Sequence, residues 1–228
     1  MATFDNLSKS YPLKGGGNKV VFEQQTLSIP RKNIGIMGIN GAGKSTLVRL
    51  IAGSDLPTTG KIHRHVNISW PLALSAGFNG SLTGIENLRF VCRIYNRDIE
   101  QVTDFVTEFS ELGKALHQPV KTYSSGMRGK LNFGLSIAFN FDCYLVDEVL
   151  AVGDKTFQEK SKKAFEERLK NSNILLVSHV AGKIKEYCDA AYVLKDGMMN
   201  YYDDVDDASK AYNEYIREVR QNRNNRIA

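Results

Sequence analysis

Residues Gly38-Ile39-Asn40-Gly41-Ala42-Gly43-Lys44-Ser45-Thr46 are the strongest indication of fold in this 228-residue chain. It has the spacing G-x-x-x-x-G-K-[ST], in which the glycines let successive backbone N–H groups converge on a polyphosphate. A short apolar run at 34–37 precedes it and indicates a buried strand, while apolar residues recur after it at helical spacing. This strand–loop–helix context predicts a P-loop, and the positive end of its helix favours an anion.

Each residue of this stretch is therefore a candidate contact for a nucleoside triphosphate. Lys44 is expected to reach the β- and γ-phosphates, and the Ser45 hydroxyl is expected to bind Mg²⁺. The alternative is a glycine turn between a strand and a helix that binds nothing. The complete motif in its complete context disfavours that alternative.

Composition narrows the class of protein. A hydrophobic content of 42% is enough for one large core, or for a core with an added lobe. The three cysteines form no C-x-x-C pair, which argues for a reducing compartment and against a disulfide framework or a zinc site. A formal net charge of +5 is compatible with an anionic membrane or a nucleic acid and demonstrates neither. The apolar runs are strand-sized and no signal peptide is evident, so work at a membrane would need another chain to cross it.

The N-terminal residues 1–30 are expected to form short strands around a glycine turn at 15–17. Tyr11 ends the first strand, and an aromatic ring there can stack on an adenine base. A half-buried strand tyrosine without a ligand is the alternative. Residues 78–140 change to helical periodicity, which predicts an inserted helical subdomain.

Two later stretches supply further chemistry. Tyr123-Ser124-Ser125-Gly126-Met127 opens a helix, where serines and glycine are most often simple caps. The apolar strand 143–146 delivers Asp147 and Glu148 to its carboxyl end, which is the Walker B pattern. Asp147 is expected to hold Mg²⁺, and Glu148 to orient and polarise the attacking water.

A further buried strand at 174–177 ends in Ser178-His179. The carboxyl ends of parallel strands form the ligand-facing edge of a sheet, so His179 is a candidate contact for the γ-phosphate. The rest of the chain predicts a salt-bridged helix at 156–170 and a helix near 208–219, followed by a polar, frayed tail.

With these elements in order, the chain resembles the nucleotide-binding subunits of ABC transporters over nearly its full length. The P-loop, Tyr123–Met127 as signature loop, Asp147-Glu148 and His179 as switch histidine follow that family's order. Five runs are similar to the capsular-polysaccharide export ATPases of Gram-negative bacteria: Ile68-Ser69-Trp70-Pro71-Leu72-Ala73, Gly80-Ser81-Leu82-Thr83-Gly84, Cys92-Arg93-Ile94-Tyr95-Asn96, Tyr123-Ser124-Ser125-Gly126-Met127 and Asp147-Glu148-Val149-Leu150-Ala151-Val152-Gly153-Asp154.

The resemblance implies an α/β fold: a P-loop NTPase with a mostly parallel central sheet, an N-terminal antiparallel β subdomain and an inserted α-helical subdomain. It implies a single domain at 1–228, with the helical subdomain at about 78–140 and a polar tail at 220–228. It also implies hydrolysis of ATP with Mg²⁺. Two copies would face head to tail, each P-loop closing over ATP against the partner's Ser124, Ser125 and Gly126.

The family's partners are inner-membrane permease subunits that conduct the polysaccharide, with periplasmic and outer-membrane capsule export proteins beyond them. The chain would then lie peripherally at the cytoplasmic face of the inner membrane, and no nucleic acid is expected to bind. An O-antigen or a teichoic acid is an alternative substrate. A non-transport ABC ATPase acting on ribosomes or DNA, or a regulatory ATP-binding module, is a further alternative that the single cassette and Glu148 disfavour.

Two departures from the general ABC pattern matter. The signature is Tyr-Ser-Ser-Gly-Met where Leu-Ser-Gly-Gly-Gln is usual, and residues 70–78 contain no glutamine for a Q-loop. The polysaccharide-export branch shares the second departure. The apolar residues Trp70, Leu72 and Phe78 lead us to predict that this loop and the helix at 85–95 form a groove for a permease helix. The alternative is that these side chains pack into the core.

Overall fold

The computed structural model describes residues 1–72, 77–147 and 153–224. Its strands are β1 (Ala2–Pro12), β2 (Asn18–Ile29), β3 (Ile34–Gly38), β4 (Thr59–Arg64), β5 (Ile68–Pro71), β6 (Cys143–Asp147), β7 (Asn173–Val177), β8 (Ala190–Lys195) and β9 (Met198–Tyr202). Its helices are α1 (Lys44–Ala52), α2 (Gly84–Ile94), α3 (Ile99–Ser110), α4 (Ser125–Ala138), α5 (Lys155–Leu169), α6 (Ala181–Tyr187) and α7 (Val205–Asn224), with 3-10 turns at Gly113–His117 and Val120–Thr122. Among the described helices, none combines the length and the apolar character that crossing a membrane requires.

The predicted sheets are confirmed. An antiparallel sheet has the order β2-β1-β4, and a six-stranded sheet has the order β5-β6-β7-β3-β8-β9. In the larger sheet β3 pairs in parallel with β7 and β8, β6 pairs in parallel with β7, and β9 runs antiparallel to β8. Strand β3 is buried along its whole length, as a central parallel strand must be. The carboxyl ends of β3 and β6, at Gly38 and Asp147, therefore open on the same edge of the sheet.

The chain divides into two compact units. The first consists of 1–68, 143–148 and 173–228, and the second of 69–142 and 149–172. The second unit contains more of the chain than the helical subdomain that we predicted at 78–140, because it also includes helix α5. Phe157 of α5 packs edge-on against Phe109 of α3, with 5.6 Å between the ring centroids.

Within the first unit, Arg64 at the end of β4 fixes the C-terminus of helix α1. Its guanidinium donates from Nε to the Ile51 carbonyl at 2.7 Å and from Nη2 to the Leu50 carbonyl at 2.6 Å. The last carbonyls of a helix lack the usual partners inside it, so the arginine adds a donor to each of these two, and its charge complements the helix dipole; the Leu50 carbonyl also accepts from the Gly53 N–H at 3.2 Å. The antiparallel sheet thereby holds the helix that follows the P-loop.

Helix α7 corrects one prediction. It begins at Val205 and continues through Asn224, whereas we predicted a helix near 208–219 and a frayed tail from residue 220. Buried Tyr212 and Tyr215 anchor it, and the hydroxyl of Tyr215 donates to Asp196 Oδ1 at 3.0 Å. The turn beyond Val219 contains Arg and Gln, which are good helix formers, so polarity alone did not end the helix.

In the second unit, the start of the 70–78 loop packs inward. Trp70 lies edge-on to Phe139 and Phe141, with 5.3 Å and 5.1 Å between ring centroids, and Leu72 is 3% exposed. The prediction that Leu72 lines an exposed groove is therefore wrong, and the alternative of core packing is correct for it, whereas Trp70 and Phe78 are half-buried. The apolar residue Leu74 of this loop lies outside the described residues.

Candidate functional site

The P-loop has the backbone that its glycines predict. Gly41 and Gly43 adopt left-handed φ angles of 84° and 102°. A Cβ at Gly43 would lie 2.6 Å from Val21 Cγ1 and 3.0 Å from Phe22 Cζ, so only glycine fits beneath strand β2. Helix α1 begins at Lys44 without a capping side chain or an acidic residue in its first turn. The free N–H groups of that turn therefore face outward as an anion site.

Lys44 is folded back onto the loop. Its Nζ donates to the carbonyl of Gly38 at 2.7 Å and to that of Ile39 at 3.0 Å. Burial lowers the pKa of this lysine, and the nearby charge of Asp147 only partly opposes the shift. A negatively charged group in the site would stabilise the ammonium form, which is the chemistry that a phosphate supplies.

Asp147 shows the complementary behaviour at the end of β6. Burial raises the pKa of its carboxyl, against the opposing charges of Lys44 and Arg49. A cation beside this half-buried carboxyl would stabilise its ionised form. Hard oxygen donors from Asp147 and the exposed Ser45 hydroxyl suit Mg²⁺, so this pair fits the predicted metal.

One cavity of about 420 Å³ unites most of the predicted site within the first unit. Its lining residues are Tyr11, Lys19, Val21, Asn40, Gly41, Gly43, Lys44, Ser45, Thr46 and Asp147. Lys19 and Val21 were missed from the sequence. Their signal was the Gly15–Gly17 turn, because the hairpin that it closes pairs Tyr11 with Lys19.

The remaining P-loop residues have other surroundings. Ile39 and Ala42 line a neighbouring cavity of about 500 Å³, together with Asp196 and Tyr215. Gly38 is buried at the end of β3, and its carbonyl also accepts a long hydrogen bond of 3.4 Å from the Tyr212 hydroxyl. These residues therefore shape the loop from behind the phosphate cavity.

His179 and Glu148 are the other two residues that we predicted to be catalytic. His179 follows β7, is exposed and does not line the 420 Å³ cavity. Its strand lies between β6 and β3, so the residue is at the ligand-facing edge of the sheet. The predicted role of Glu148 falls on a residue outside the described part of the chain.

The signature residues belong to the second unit and line a cavity of their own. Ser124, Ser125 and Gly126 border a space of about 750 Å³ that also contains Lys130 and Asp154. Ser124 caps helix α4, since its Oγ accepts from the Met127 N–H at 3.2 Å. The adjacent Tyr123 is buried, and its hydroxyl donates to the Ala115 carbonyl at 2.6 Å. The capping role is thus present, and it leaves Ser125 exposed at the helix start.

The chain is similar to known proteins over nearly its full length. The sequence model of the family described as "ABC transporter" matches residues 23–151. The capsule polysaccharide export ATP-binding protein CtrD of Neisseria meningitidis is 52% identical over 213 residues, covering 93% of this chain and 99% of CtrD. The polysialic acid transport ATP-binding protein KpsT of Escherichia coli is 48% identical over 219 residues, covering 94% and 97%.

A solved structure supports the fold. The dimeric post-hydrolysis state of the ATP-binding cassette MJ0796, bound to ADP and phosphate, superposes with a TM-score of 0.71 at 19% identity. The match covers 89% of this chain and 98% of that one. Together with the family match and the P-loop cavity, it leads to one assignment. The chain belongs to the ABC transporter family, as an ATP-binding cassette and ATPase of that family.

Proposed function

We propose that this chain hydrolyses ATP to drive the export of capsular polysaccharide across the inner membrane through a separate permease. The observation that carries the proposal is the similarity to CtrD, 52% identity over 93% of this chain, combined with an intact P-loop cavity. An ATPase that matches a capsule export protein over almost its full length is best explained by the same task.

In this proposal the P-loop cavity receives the triphosphate. Backbone N–H groups between Gly38 and Thr46 bind the phosphate oxygens, and Lys44 exchanges its two carbonyl contacts for the β- and γ-phosphates. Tyr11 stacks on the adenine ring at the open end of the cavity. Ser45 and Asp147 would hold Mg²⁺, which would neutralise part of the charge on the phosphates.

Hydrolysis then needs a positioned water at the γ-phosphate. Glu148 orients and polarises this water, and His179 contacts the γ-phosphate from the end of β7. Attack of the water oxygen breaks the bond between the γ-phosphorus and the oxygen shared with the β-phosphate. ADP and inorganic phosphate are the products.

A second copy of the chain completes the site. Ser124, Ser125 and Gly126 of one copy bind the γ-phosphate held by the other, so that ATP stabilises a head-to-tail dimer. Each charge-assisted hydrogen bond across that interface contributes about 1.5–3 kcal/mol, and hydrolysis removes those to the γ-phosphate. The dimer then opens, and the permease converts this cycle into movement of the polymer.

The permease contact that we propose lies on helix α2. Phe90 and Ile94 are 54% and 61% exposed, although both are large and apolar. Exposed Arg89 and Arg93 lie beside them on the same helix and exposed Arg97 follows its end, and we call these five residues the α2 patch. An apolar ridge flanked by guanidinium groups fits an amphipathic helix with acidic residues beside its apolar face. This patch lies on the helix that we predicted to form one side of the groove, at 85–95, and it leaves out the buried Leu72.

The position in the cell follows from these contacts. Docked on the permease, the chain lies peripherally at the cytoplasmic face of the inner membrane, where ATP is available. Periplasmic and outer-membrane capsule export proteins would carry the polymer onward and need no contact with this chain.

Lys44→Ala in a capsule-producing cell tests the proposal. Polysaccharide synthesis should continue while surface polymer is lost and polymer accumulates inside the cell, as measured by fractionation and immunodetection. Lys61→Ala, which changes an exposed lysine on β4, should leave export intact. Normal export by the Lys44→Ala variant would rule out the proposed function, and accumulation of a different glycan would change the substrate.

A further inference from the structure

Tyr11 is held by a network of charged residues from β1, helix α1 and the segment after that helix. Its hydroxyl donates to Asp55 Oδ2 at 2.6 Å, and the other carboxyl oxygen, Oδ1, accepts from Lys9 Nζ at 2.6 Å. Lys9 also donates to the Leu56 carbonyl at 2.7 Å and places its ammonium 4.7 Å from the centroid of the Tyr11 ring. The ring is thus fixed at its hydroxyl and covered by a cation on one face.

The same network reaches the P-loop helix. Arg49 of helix α1 donates from Nη2 to the Tyr11 hydroxyl at 3.3 Å and to Thr46 Oγ1 at 3.4 Å. Thr46 and Tyr11 both line the 420 Å³ cavity. The guanidinium of Arg49 therefore connects two residues that line the same cavity.

Burial makes this network costly to disturb. Lys9 is 8% exposed, which is unusual for a lysine unless it is paired. Burial alone would raise the pKa of Asp55, but hydrogen bonds from Lys9 and Tyr11, with the Lys9 charge, outweigh it and lower that pKa. Asp55 therefore remains an anion at neutral pH, and removing either member of the pair leaves a poorly compensated charge.

We propose that Asp55, with Lys9, is a positioning residue for the nucleobase, because it fixes the plane of the Tyr11 ring on which a purine stacks. The inference rests on the proposed binding of ATP and adds to it the residues that set the contribution of the base. Stacking of a base on an aromatic ring favours binding, and its contribution depends on the orientation of the ring. A ring free to rotate would lose part of that contribution while the phosphate contacts remain.

The test compares a ligand that has a base with one that lacks it. Calorimetry on the full chain measures affinities for ATP and for inorganic tripolyphosphate, both with Mg²⁺, in wild type, Asp55→Asn, Tyr11→Phe and the double variant. We expect each single variant to weaken ATP binding about three- to tenfold, a fraction of the stacking free energy, and to leave tripolyphosphate binding within twofold. The control Asp5→Asn changes an exposed carboxylate on β1, the strand that carries Tyr11, and should alter neither affinity.

The double variant separates positioning from general destabilisation. If Asp55 acts through the Tyr11 hydroxyl, its substitution in the Tyr11→Phe background should weaken ATP binding no further. Equal losses for ATP and tripolyphosphate, additive losses in the double variant, or unchanged ATP affinity would each overturn the inference. Tyr11→Phe keeps the Lys9–Asp55 pair, so it provides the comparison if Asp55→Asn does not fold. A wild-type chain that binds neither ligand would instead refute the proposed function.

Discussion

Asn132 of helix α4 donates a hydrogen bond from Nδ2 to the carbonyl oxygen of Leu72 at 3.0 Å. Four residues further along the same helix, Ser136 Oγ accepts from the indole N–H of Trp70 at 2.8 Å. Helix α4 begins at the signature residues, Trp70 belongs to strand β5, and Leu72 begins the loop in which the usual glutamine is missing. Within the second unit, two hydrogen bonds therefore connect this segment to the signature helix, one through the Leu72 carbonyl and one through the Trp70 indole.

Asn132→Leu should destabilise the chain by about 1–3 kcal/mol, because it leaves the buried carbonyl of Leu72 without this donor. Urea unfolding followed by circular dichroism measures the change. Asn213→Leu, an exposed position on helix α7, is the matched control and should change stability by less than about 0.5 kcal/mol. Equal midpoints for the Asn132 variant and wild type would show that the contact does not hold the loop.

Lys44→Ala should abolish ATP binding or nearly so. Burial lowers the pKa of Lys44, which means that it disfavours the ammonium form. A bound phosphate stabilises that form, and the variant loses this ion pair. Loss of charge-assisted hydrogen bonds worth about 1.5–3 kcal/mol each corresponds to at least a tenfold weaker affinity in calorimetry. ATP affinity equal to that of wild type would refute the P-loop assignment.

Glu148→Gln should bind ATP normally and hydrolyse it roughly 10²–10³-fold more slowly, as expected for loss of a positioned catalytic group. Because ATP persists, the variant should accumulate as a dimer in size-exclusion chromatography with ATP and Mg²⁺. Glu100→Gln, on the exposed face of helix α3, serves as the control. Turnover near the wild-type rate would assign the water-positioning role to another residue.

The nucleotide site was predictable because its signals are local. A glycine motif, the buried strand before it and the helix after it lie within about twenty residues, and the apolar strand that ends at Asp147 is equally compact. For Lys19 and Val21 the signal was indirect, namely the Gly15–Gly17 turn that closes the hairpin of β1 and β2. These two residues reach the cavity only because β2 pairs with β1, and apolar periodicity does not specify that pairing.

The loop after β5 shows a second limit of sequence reasoning. Trp70 and Leu72 are apolar in a glycine-containing segment, and such a pattern fits both an exposed groove and core packing. Phe139 and Phe141, about seventy residues later in the sequence, pack against Trp70, and this contact could not be predicted from the segment itself. Polarity likewise suggested a frayed tail after residue 219, although helix propensity carries α7 to Asn224.

Phe90→Asp should separate the chain from its permease. A carboxylate in the centre of the α2 patch adds an unfavourable charge to the apolar ridge and repels acidic residues of the partner. ATP binding by the isolated chain should be unchanged, while co-purification with the permease and export are lost. Leu13→Asp, at a position 51% exposed in the first unit, is the control. Export and co-purification that survive in a folded Phe90→Asp chain would place the permease contact elsewhere.

The signature residues should act in trans. Mixing Lys44→Ala chains with Gly126→Asp chains, each inactive as a homodimer, should restore part of the ATPase activity. The mixed dimer combines both lesions in one composite site and leaves the other intact. The aspartate has room in the folded chain, since the nearest atom to a Cβ at Gly126 is Ser124 Oγ at 3.9 Å. Its charge would repel the γ-phosphate of the partner's nucleotide.

A crosslink decides the case in which mixing restores nothing. Obligatory coupling between the two sites would also prevent recovery, so the geometry needs its own measurement. Asn40→Cys in one chain and Ser125→Cys in the other, both at exposed positions, should form an intermolecular crosslink with a short bifunctional thiol reagent, and the change at Asn40 leaves the proposed Mg²⁺ ligands in place. The background should be a chain in which Cys92, Cys143 and Cys188 are replaced, and Glu148→Gln should hold the dimer closed with ATP. A crosslink that forms with ATP and not with ADP supports the head-to-tail arrangement, and its absence in both conditions contradicts it.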